Sequence, residues 1–166
     1  MGSGAGLAMY TIRSATEWDL AALGRLGTLL MRVHYEFDPQ RFIRPLRGVE
    51  QGYASFLGSQ LEANDAIVLV AERDGAVIGY IYAAIEPPSW KELRDRAGYI
   101  HDVLVEEESR QSGIAEALMN AAIDWLRTRD VPRVVLGTAS LNDKAQRLFR
   151  RLGFRPTMIE MTKELG

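Results

Sequence analysis

Apolar residues recur along the chain at two spacings, which predict an alternation of helices and strands. From residue 20 to residue 33, and again from residue 114 to residue 126, they fall three and four positions apart, as on one face of a helix. Unbroken apolar runs at residues 66–71 and 77–85 instead indicate buried strands. The Asp74-Gly75 pair between these two runs is typical of a tight hairpin.

The complete pattern orders these elements as a strand, two helices, a hairpin, a strand, a helix, a strand, a helix and a final strand. Two glycines, Gly24 and Gly27, lower the expected regularity of the first helix. Gly153 is a suitable C′ residue for the last helix. The predicted strands are residues 9–13, 66–71, 77–85, 99–105, 134–136 and 156–163, and the predicted helices are about residues 17–34, 48–63, 114–130 and 143–152.

Length and composition favour one domain. A chain of 166 residues can bury a core of its own. Residues 9–166 are predicted to form this single domain, and residues 1–8, which are small, are expected to be a flexible tip or a cloning remnant. The start lacks the pattern of a signal peptide, and no apolar run approaches the ~20 residues that span a bilayer.

Charge and residue usage exclude several kinds of site. The formal net charge is −2 with both signs mixed along the chain, so no basic surface favours nucleic acid. The absence of Cys excludes disulfides and thiolate chemistry. The two histidines, His34 and His101, lie too far apart in sequence for a metal-ligand spacing. We therefore expect a cytoplasmic protein that binds neither metal, membrane nor nucleic acid.

A candidate ligand site lies where the strand at residues 99–105 leads into the helix that begins near Ile114. Residues 110–113, Arg-Gln-Ser-Gly, form a short turn whose backbone N–H groups and helix dipole suit an anion. Gly113 has no Cβ, which lets the backbone approach a phosphate. The turn matches neither a Walker loop nor a dinucleotide-binding fingerprint. On these residues alone, a diphosphate cradle and an ordinary turn with a capping glycine both stay open.

Two motifs resolve this choice through a family resemblance. Residues 110–115 read Arg-x-x-Gly-x-Ala, and residues 142–154 read Asn-x-x-Ala-x-x-Leu-Phe-x-x-x-Gly-Phe. In this order and spacing they resemble motifs A and B of the GCN5-related N-acetyltransferase (GNAT) family, and the resemblance covers about residues 9–163. It implies an α/β (α+β) fold with a mixed, mostly antiparallel, twisted sheet of about six or seven strands flanked by about four helices.

The resemblance also implies a cofactor and the residues that bind it. The cofactor is acetyl-coenzyme A, used as a co-substrate, and no metal is implied. The end of the strand at residues 99–105 would pair with the pantetheine arm, and the turn after it would bind the diphosphate. The implied cofactor-binding residues are Val103, Leu104, Val105, Arg110, Gln111, Ser112, Gly113, Ile114, Ala115, Asn142 and Phe149.

Transfer of an acetyl group to a primary amine needs a base, because an alkylamine is protonated at neutral pH. Asp102 is the first candidate, His101 the second and Glu86 the third. Neighbours on a strand face opposite sides of a sheet, so only one of Asp102 and His101 is expected to face the site. A β-bulge near the strand end could exchange them. For both residues a purely structural role stays open.

Phe149 departs from the resemblance, because the family often has a tyrosine there as general acid. A thiol has a pKa of ~8.5, so its thiolate can leave without an acid, and water or a tyrosine such as Tyr80, Tyr82 or Tyr99 could substitute. We therefore expect an acetyl-coenzyme A-dependent N-acetyltransferase. The alternative is a non-catalytic module that binds or senses an acyl-coenzyme A.

The family places the acceptor amine near the first two helices and the later loops. The residues implied there are His34, Tyr35, Phe37, Asp38, Trp90 and the arginine run at residues 41–47. An aspartate among aromatic rings suits an amine, and arginines suit a carboxylate, but the same residues could be packing or solvated surface. The acceptor is expected to be a small molecule or a peptide, and a homodimer is possible.

Overall fold

The computed structural model describes residues 9–110 and 112–166. The expectation for residues 1–8 and the predicted role of Gln111 lie outside the described residues. Four helices and five strands follow one another in the expected order. The strands are β1 (Thr11–Ser14), β2 (Ala66–Arg73), β3 (Ala76–Glu86), β4 (Ala97–Val105) and β5 (Val134–Leu136), and the helices are α1 (Leu20–Phe37), α2 (Val49–Gln60), α3 (Ile114–Arg127) and α4 (Asp143–Arg151).

The strands form one sheet in the order β1-β2-β3-β4-β5. Each neighbouring pair from β1 to β4 is antiparallel, while β5 runs parallel to β4. The predicted mixed, mostly antiparallel sheet is therefore confirmed. No helix among the described residues is long and apolar enough to cross a membrane.

The prediction of a final strand at residues 156–163 is wrong. The sheet of the described residues has five strands rather than six or seven. The tail has no regular structure, and Met158, Ile159 and Met161 are 77%, 79% and 85% exposed. Apolar side chains there favoured a strand, but a strand also needs a neighbour for its backbone hydrogen bonds. Arg41 instead forms an ion pair with Glu160 of the tail.

Side chains alternate across the sheet and supply two cores. On β3, Tyr80 and Tyr82 pack with α1 and α2, while Ile81 and Ala83 face α3. This alternation is what an extended strand dictates. The apolar stripe of α3, centred on Leu118, is completely buried against the sheet. The sheet is thus covered on both faces, and its edges and strand ends are left to form sites.

The two glycines of α1 do not weaken the helix, which continues to Phe37. They lie against α2 instead. A Cβ on Gly24 would come within 2.4 Å of the carbonyl oxygen of Glu50, and one on Gly27 within 2.2 Å of the ring of Tyr53. The glycines therefore permit close contact between the helices, which the expectation from helix propensity did not include.

A partly buried ion pair ties the first strand to the start of α1. The guanidinium of Arg13 donates to both carboxylate oxygens of Asp19 at 2.7 and 2.8 Å, and its Nε donates to Glu72 at 2.8 Å. Asp19 is 5% exposed and also accepts from the backbone N–H of Thr16 at 2.8 Å. The hydrogen bonds from Arg13 hold the pKa of Asp19 below its usual value.

We expect Asp19→Asn to lower the free energy of unfolding by about 2 kcal/mol at pH 7, because a buried charged hydrogen-bond network is lost. Since the folded-state pKa of Asp19 is depressed, its stabilisation is present above the unfolded pKa and is lost as pH falls through the folded pKa. Urea unfolding at several pH values measures both effects.

The matched control is Asp124→Asn, which breaks an exposed ion pair with Arg127 one turn along α3. That change should cost no more than about 0.5 kcal/mol. Equal losses in the two variants would contradict a stabilising role for the Arg13–Asp19 pair.

Candidate active site

A long groove opens where β4 and β5 separate. Their last paired residues are Ile100 and Leu136, and β5 ends there while β4 continues to Val105. The groove has a volume of about 1670 Å³ and is lined by residues 100–105, by the turn before α3, by the segment after β5 and by α4. The edge of β4 beyond Ile100 is therefore open to pair with an extended ligand.

The predicted cradle stands at the end of this groove. Gly113 is the N-cap of α3 with φ +79°, a left-handed conformation that favours glycine. Among the described residues, no atom lies within 4 Å of a Cβ built there, so those residues leave the turn open. Arg110 Nε donates to the carbonyl of Val105 at 3.0 Å, which fastens the turn to the strand. The first N–H groups of α3 have no partner inside the helix, and they belong to residues that line the groove, such as Ile114 and Ala115.

Most of the residues predicted to bind the cofactor line the groove together. Ser112 does not line it, and its hydroxyl donates to the carbonyl of Ser109. Gln111 lies outside the described residues. Those that line the groove are Val103, Leu104, Val105, Arg110, Gly113, Ile114, Ala115, Asn142 and Phe149.

The second motif supplies the opposite wall. The side-chain oxygen of Asn142 caps α4 by accepting from the backbone N–H of Ala145 at 3.2 Å. Its amide N–H₂ group remains a donor for a ligand. Phe149 is 7% exposed and packs edge-on against Phe154 with ring centroids 6.1 Å apart. Phe149 therefore packs the core and borders the groove, but it lacks the hydroxyl of the tyrosine that the resemblance implies at this position.

Sequence reasoning missed two basic residues of this wall, Arg147 and Arg151. They are four positions apart on α4, and Arg151 lies 3.8 Å from Glu116 on α3. Their i, i+4 spacing opposite the apolar face of α4 was the available signal. Both residues line the groove, and Arg151 reaches the first turn of α3, so their positive charge suits phosphate.

A second cavity, of about 600 Å³, lies between β3, β4, α1 and α2. All three candidate bases, Glu86, His101 and Asp102, line it. The pairing of β3 with β4 shifts between Tyr82–Asp102 and Ala83–Ile100, so His101 is the extra residue of a β-bulge. The expectation that only one of two neighbours faces the site is therefore wrong, because the bulge turns both to the same side.

Asp102 is the more deeply placed of the two. The hydroxyl of Tyr80 donates to its Oδ2 at 3.0 Å. Burial raises the pKa of Asp102 above its usual value, although the hydrogen bond from Tyr80 opposes the shift. Burial also raises the pKa of Tyr80. Asp102 is therefore a stronger base than an ordinary carboxylate, and Tyr80 is a poor acid held to it.

His101 is held between two rings. Its imidazole stacks on Tyr99 and Tyr82 at centroid distances of 4.5 and 5.0 Å. Its Nε2 lies 2.7 Å from a carboxylate oxygen of Glu86. Because a carboxylate only accepts, Nε2 is the donor, and Nδ1 of the neutral ring is left as the basic nitrogen.

The residues predicted to bind the acceptor divide into two groups. His34 and Phe37 line the long groove, where His34 Nδ1 donates to the carbonyl of Leu30 at 2.9 Å. Asp38 and Trp90 lie outside both cavity linings. The carboxylate of Asp38 accepts from backbone N–H groups of its own loop, and Trp90 is 93% exposed.

Two arginines of the run at residues 41–47 make contacts within the protein. Arg41 pairs with Glu160, and Arg44 donates to the hydroxyl of Tyr35 at 3.0 Å. Two aromatic residues of α2, Tyr53 and Phe56, line the second cavity. Among the described residues, no group of three acidic or histidine side chains is placed to hold a metal ion.

Comparison with known proteins agrees with this architecture. The solved structures most like it include a mutant BH1408 protein from Bacillus halodurans, with a TM-score of 0.79 and 24% identity over 93% of this chain and 99% of that one. The aminoglycoside N-acetyltransferase AAC(6')-Iy in complex with CoA has a TM-score of 0.72 and 19% identity over 94% of each chain. At these identities the likeness shows the fold.

Sequence relatives carry the comparison further. The chain is 29% identical to the uncharacterized N-acetyltransferase YhfO of Bacillus subtilis over 86% of this chain and 88% of that protein. It is 30% identical to an N-alpha-acetyltransferase of Sulfurisphaera tokodaii over 90% of this chain and 83% of that one. It spans only 27% of the length of a mycothiol acetyltransferase from Acidimicrobium ferrooxidans, at 29% identity.

The family model for the acetyltransferase (GNAT) family matches residues 28–154, which include both motifs, the bulged strand and the cradle. These relatives confirm the prediction of an N-acetyltransferase over that of a non-catalytic binding module. The chain belongs to the acetyltransferase (GNAT) family.

Proposed function

We propose that the groove binds acetyl-coenzyme A and that the second cavity binds a primary amine, which attacks the thioester directly. One observation carries the proposal: the two cavities meet. His101 and Asp102 line both of them, as do Met31 and Tyr53. A thioester that reaches the middle of β4 along the groove would therefore meet an amine from the other side at the candidate bases.

The cofactor would follow β4. Its diphosphate would accept from the first N–H groups of α3 at the cradle, with Arg147 and Arg151 supplying positive charge. Its pantetheine arm would pair with the open edge of residues 103–105, because β5 no longer occupies that edge. The backbone N–H near Leu104 would then polarise the thioester carbonyl as negative charge develops there.

Asp102 would remove the proton from the amine, directly or through water. Burial raises its pKa, which improves a carboxylate as a base, and it borders both cavities. The pair of His101 and Glu86 is the competing base, with Nδ1 of His101 as the accepting atom. Breakdown of the tetrahedral intermediate releases coenzyme A as a thiolate, which water would protonate, because Phe149 has no hydroxyl and Tyr80 is engaged by Asp102.

Several further predictions from the sequence remain proposals, among them the small-molecule or peptide nature of the amine, assembly as a homodimer and a cytoplasmic location. The acceptor roles of Asp38 and Trp90 receive no support from their positions, since both lie outside the cavity linings.

We expect Gly113→Trp to abolish binding of coenzyme A, because the indole would project into the open cradle that the diphosphate needs. Isothermal titration calorimetry with coenzyme A measures the loss directly. The strain of a side chain at positive φ should cost about 1–3 kcal/mol of stability in addition.

Gly75→Trp is the matched control. Gly75 has φ +77°, and a Cβ there also meets no atom within 4 Å, but it lies in the β2–β3 hairpin away from the groove. The control should show the same strain and unchanged affinity. Binding of coenzyme A by Gly113→Trp at the wild-type level would contradict the cradle.

We expect Asp102→Asn to reduce kcat/KM for the amine roughly 100-fold or more while leaving the affinity for coenzyme A unchanged. A free-thiol assay across pH checks this. In the wild type the acid limb of the rate profile should lie above the usual carboxyl pKa of ~3.9, because burial raises the pKa of Asp102.

Stability provides a second measurement for the same variant. A raised folded-state pKa means that the stability associated with Asp102 is present below its unfolded pKa and is lost as pH rises through the folded pKa. Asparagine does not ionise, so the variant avoids this loss of stability. It should be as stable as the wild type, or more stable, at pH 7. If the rate is unchanged in Asp102→Asn but falls in His101→Gln, the base is the histidine instead.

A further inference from the structure

We propose that the 600 Å³ cavity selects primary amines carried on an apolar or aromatic group with no carboxylate beside the nitrogen. This inference rests on the proposed acetyl transfer and names the class of acceptor. Both arylalkylamines and the N-terminus of a peptide that begins with an apolar residue present this chemistry.

The walls of the cavity are mostly apolar. Tyr53, Phe56 and Tyr82 supply three aromatic rings, and the rings of Phe56 and Tyr82 meet edge to face at 5.6 Å and 85°. Met31 and Val49 contribute aliphatic surface. A polar acceptor such as an aminosugar would leave its hydroxyl groups without partners against such walls, which costs free energy for each group.

Carboxylates dominate the charges of the cavity. It has two carboxylates, Glu86 and Asp102, and one imidazole, that of His101, which pairs with Glu86. Among the described residues that line the cavity, none is Arg or Lys. Aromatic faces and carboxylates both attract an ammonium group, whereas a carboxylate next to the amine would meet like charge in a partly desolvated site.

The geometry also orients the ligand. His101 and Asp102 border the cofactor groove as well as the cavity, while Val49 and Phe56 border the cavity alone. The nitrogen therefore belongs at the acidic end, near the thioester, and the apolar group belongs against α2. Phe56 is 48% exposed, so this end of the cavity reaches solvent and leaves room for a longer acceptor to continue.

A matched set of amines tests the inference in the free-thiol assay with acetyl-coenzyme A. 2-Phenylethylamine and L-phenylalanine differ only by the carboxylate, L-phenylalaninamide removes its charge, and spermidine offers a polar polyamine. We expect kcat/KM for 2-phenylethylamine to exceed that for L-phenylalanine by about 10-fold or more, with L-phenylalaninamide restored toward the amine. Adding the peptide Phe-Gly-Gly distinguishes a peptide acceptor from a small amine.

A variant connects selectivity to the cavity wall. Phe56→Ala should raise KM for 2-phenylethylamine about 10-fold through lost apolar contact, with KM for acetyl-coenzyme A unchanged. Trp18→Ala is the control, because Trp18 is a still larger aromatic that is 87% exposed and lies outside both cavity linings. It should change neither value.

The outcomes separate the two proposals. Equal turnover of L-phenylalanine and 2-phenylethylamine, or a preference for spermidine, would overturn the selectivity and leave acetyl transfer standing. Binding of acetyl-coenzyme A without thiol release for any amine would overturn the proposed transfer, and the selectivity with it.

Discussion

One strand position sets up the whole site. At Ile100, β4 makes its last pair with β5, and the next residue along β4 is the bulged His101. The lost pairing on one edge opens a groove with free backbone groups for an extended ligand. The bulge on the other edge turns two consecutive side chains toward the α1 and α2 side of the sheet. The change at Ile100 and His101 therefore creates an open strand edge for a ligand and places polar side chains beside it.

The two cavities that meet there have different electrostatic characters. The groove has charges of both signs, since the arginines Arg110, Arg147 and Arg151 share its lining with glutamates at residues 106–108 and 116. The smaller cavity has carboxylates and aromatic rings, which suit an ammonium group. The proposed cofactor and acceptor would meet where the two linings overlap, at Met31, Tyr53, His101 and Asp102. Burial of Asp102 suits it to a base, at a cost in stability above its unfolded pKa.

Much of this was predictable where the chemistry is local in sequence. The turn before α3 and the apolar stripe of α3 each depend on residues a few positions apart, so spacing located them, while the ligand of the turn was implied by the family resemblance. The sequence left a bulge open as an alternative but could not establish it. The bulge depends on the register between β3 and β4, which local spacing does not determine. The tail at residues 156–163 has the side chains of a strand but no neighbouring strand, and sequence could not supply that information.

Residues that act through long-range packing could not be predicted from the sequence for the same reason. Tyr53 has the spacing of a packed helix residue, and only the approach of α1 to α2 brings its ring to both cavities. Gly27 allows that approach, since any Cβ there would overlap the tyrosine ring. A substitution at Gly27, which faces neither ligand, would therefore change the shape of the junction between the two cavities. Redesign of acceptor preference has a starting point in the interface between the two helices as well as in the walls themselves.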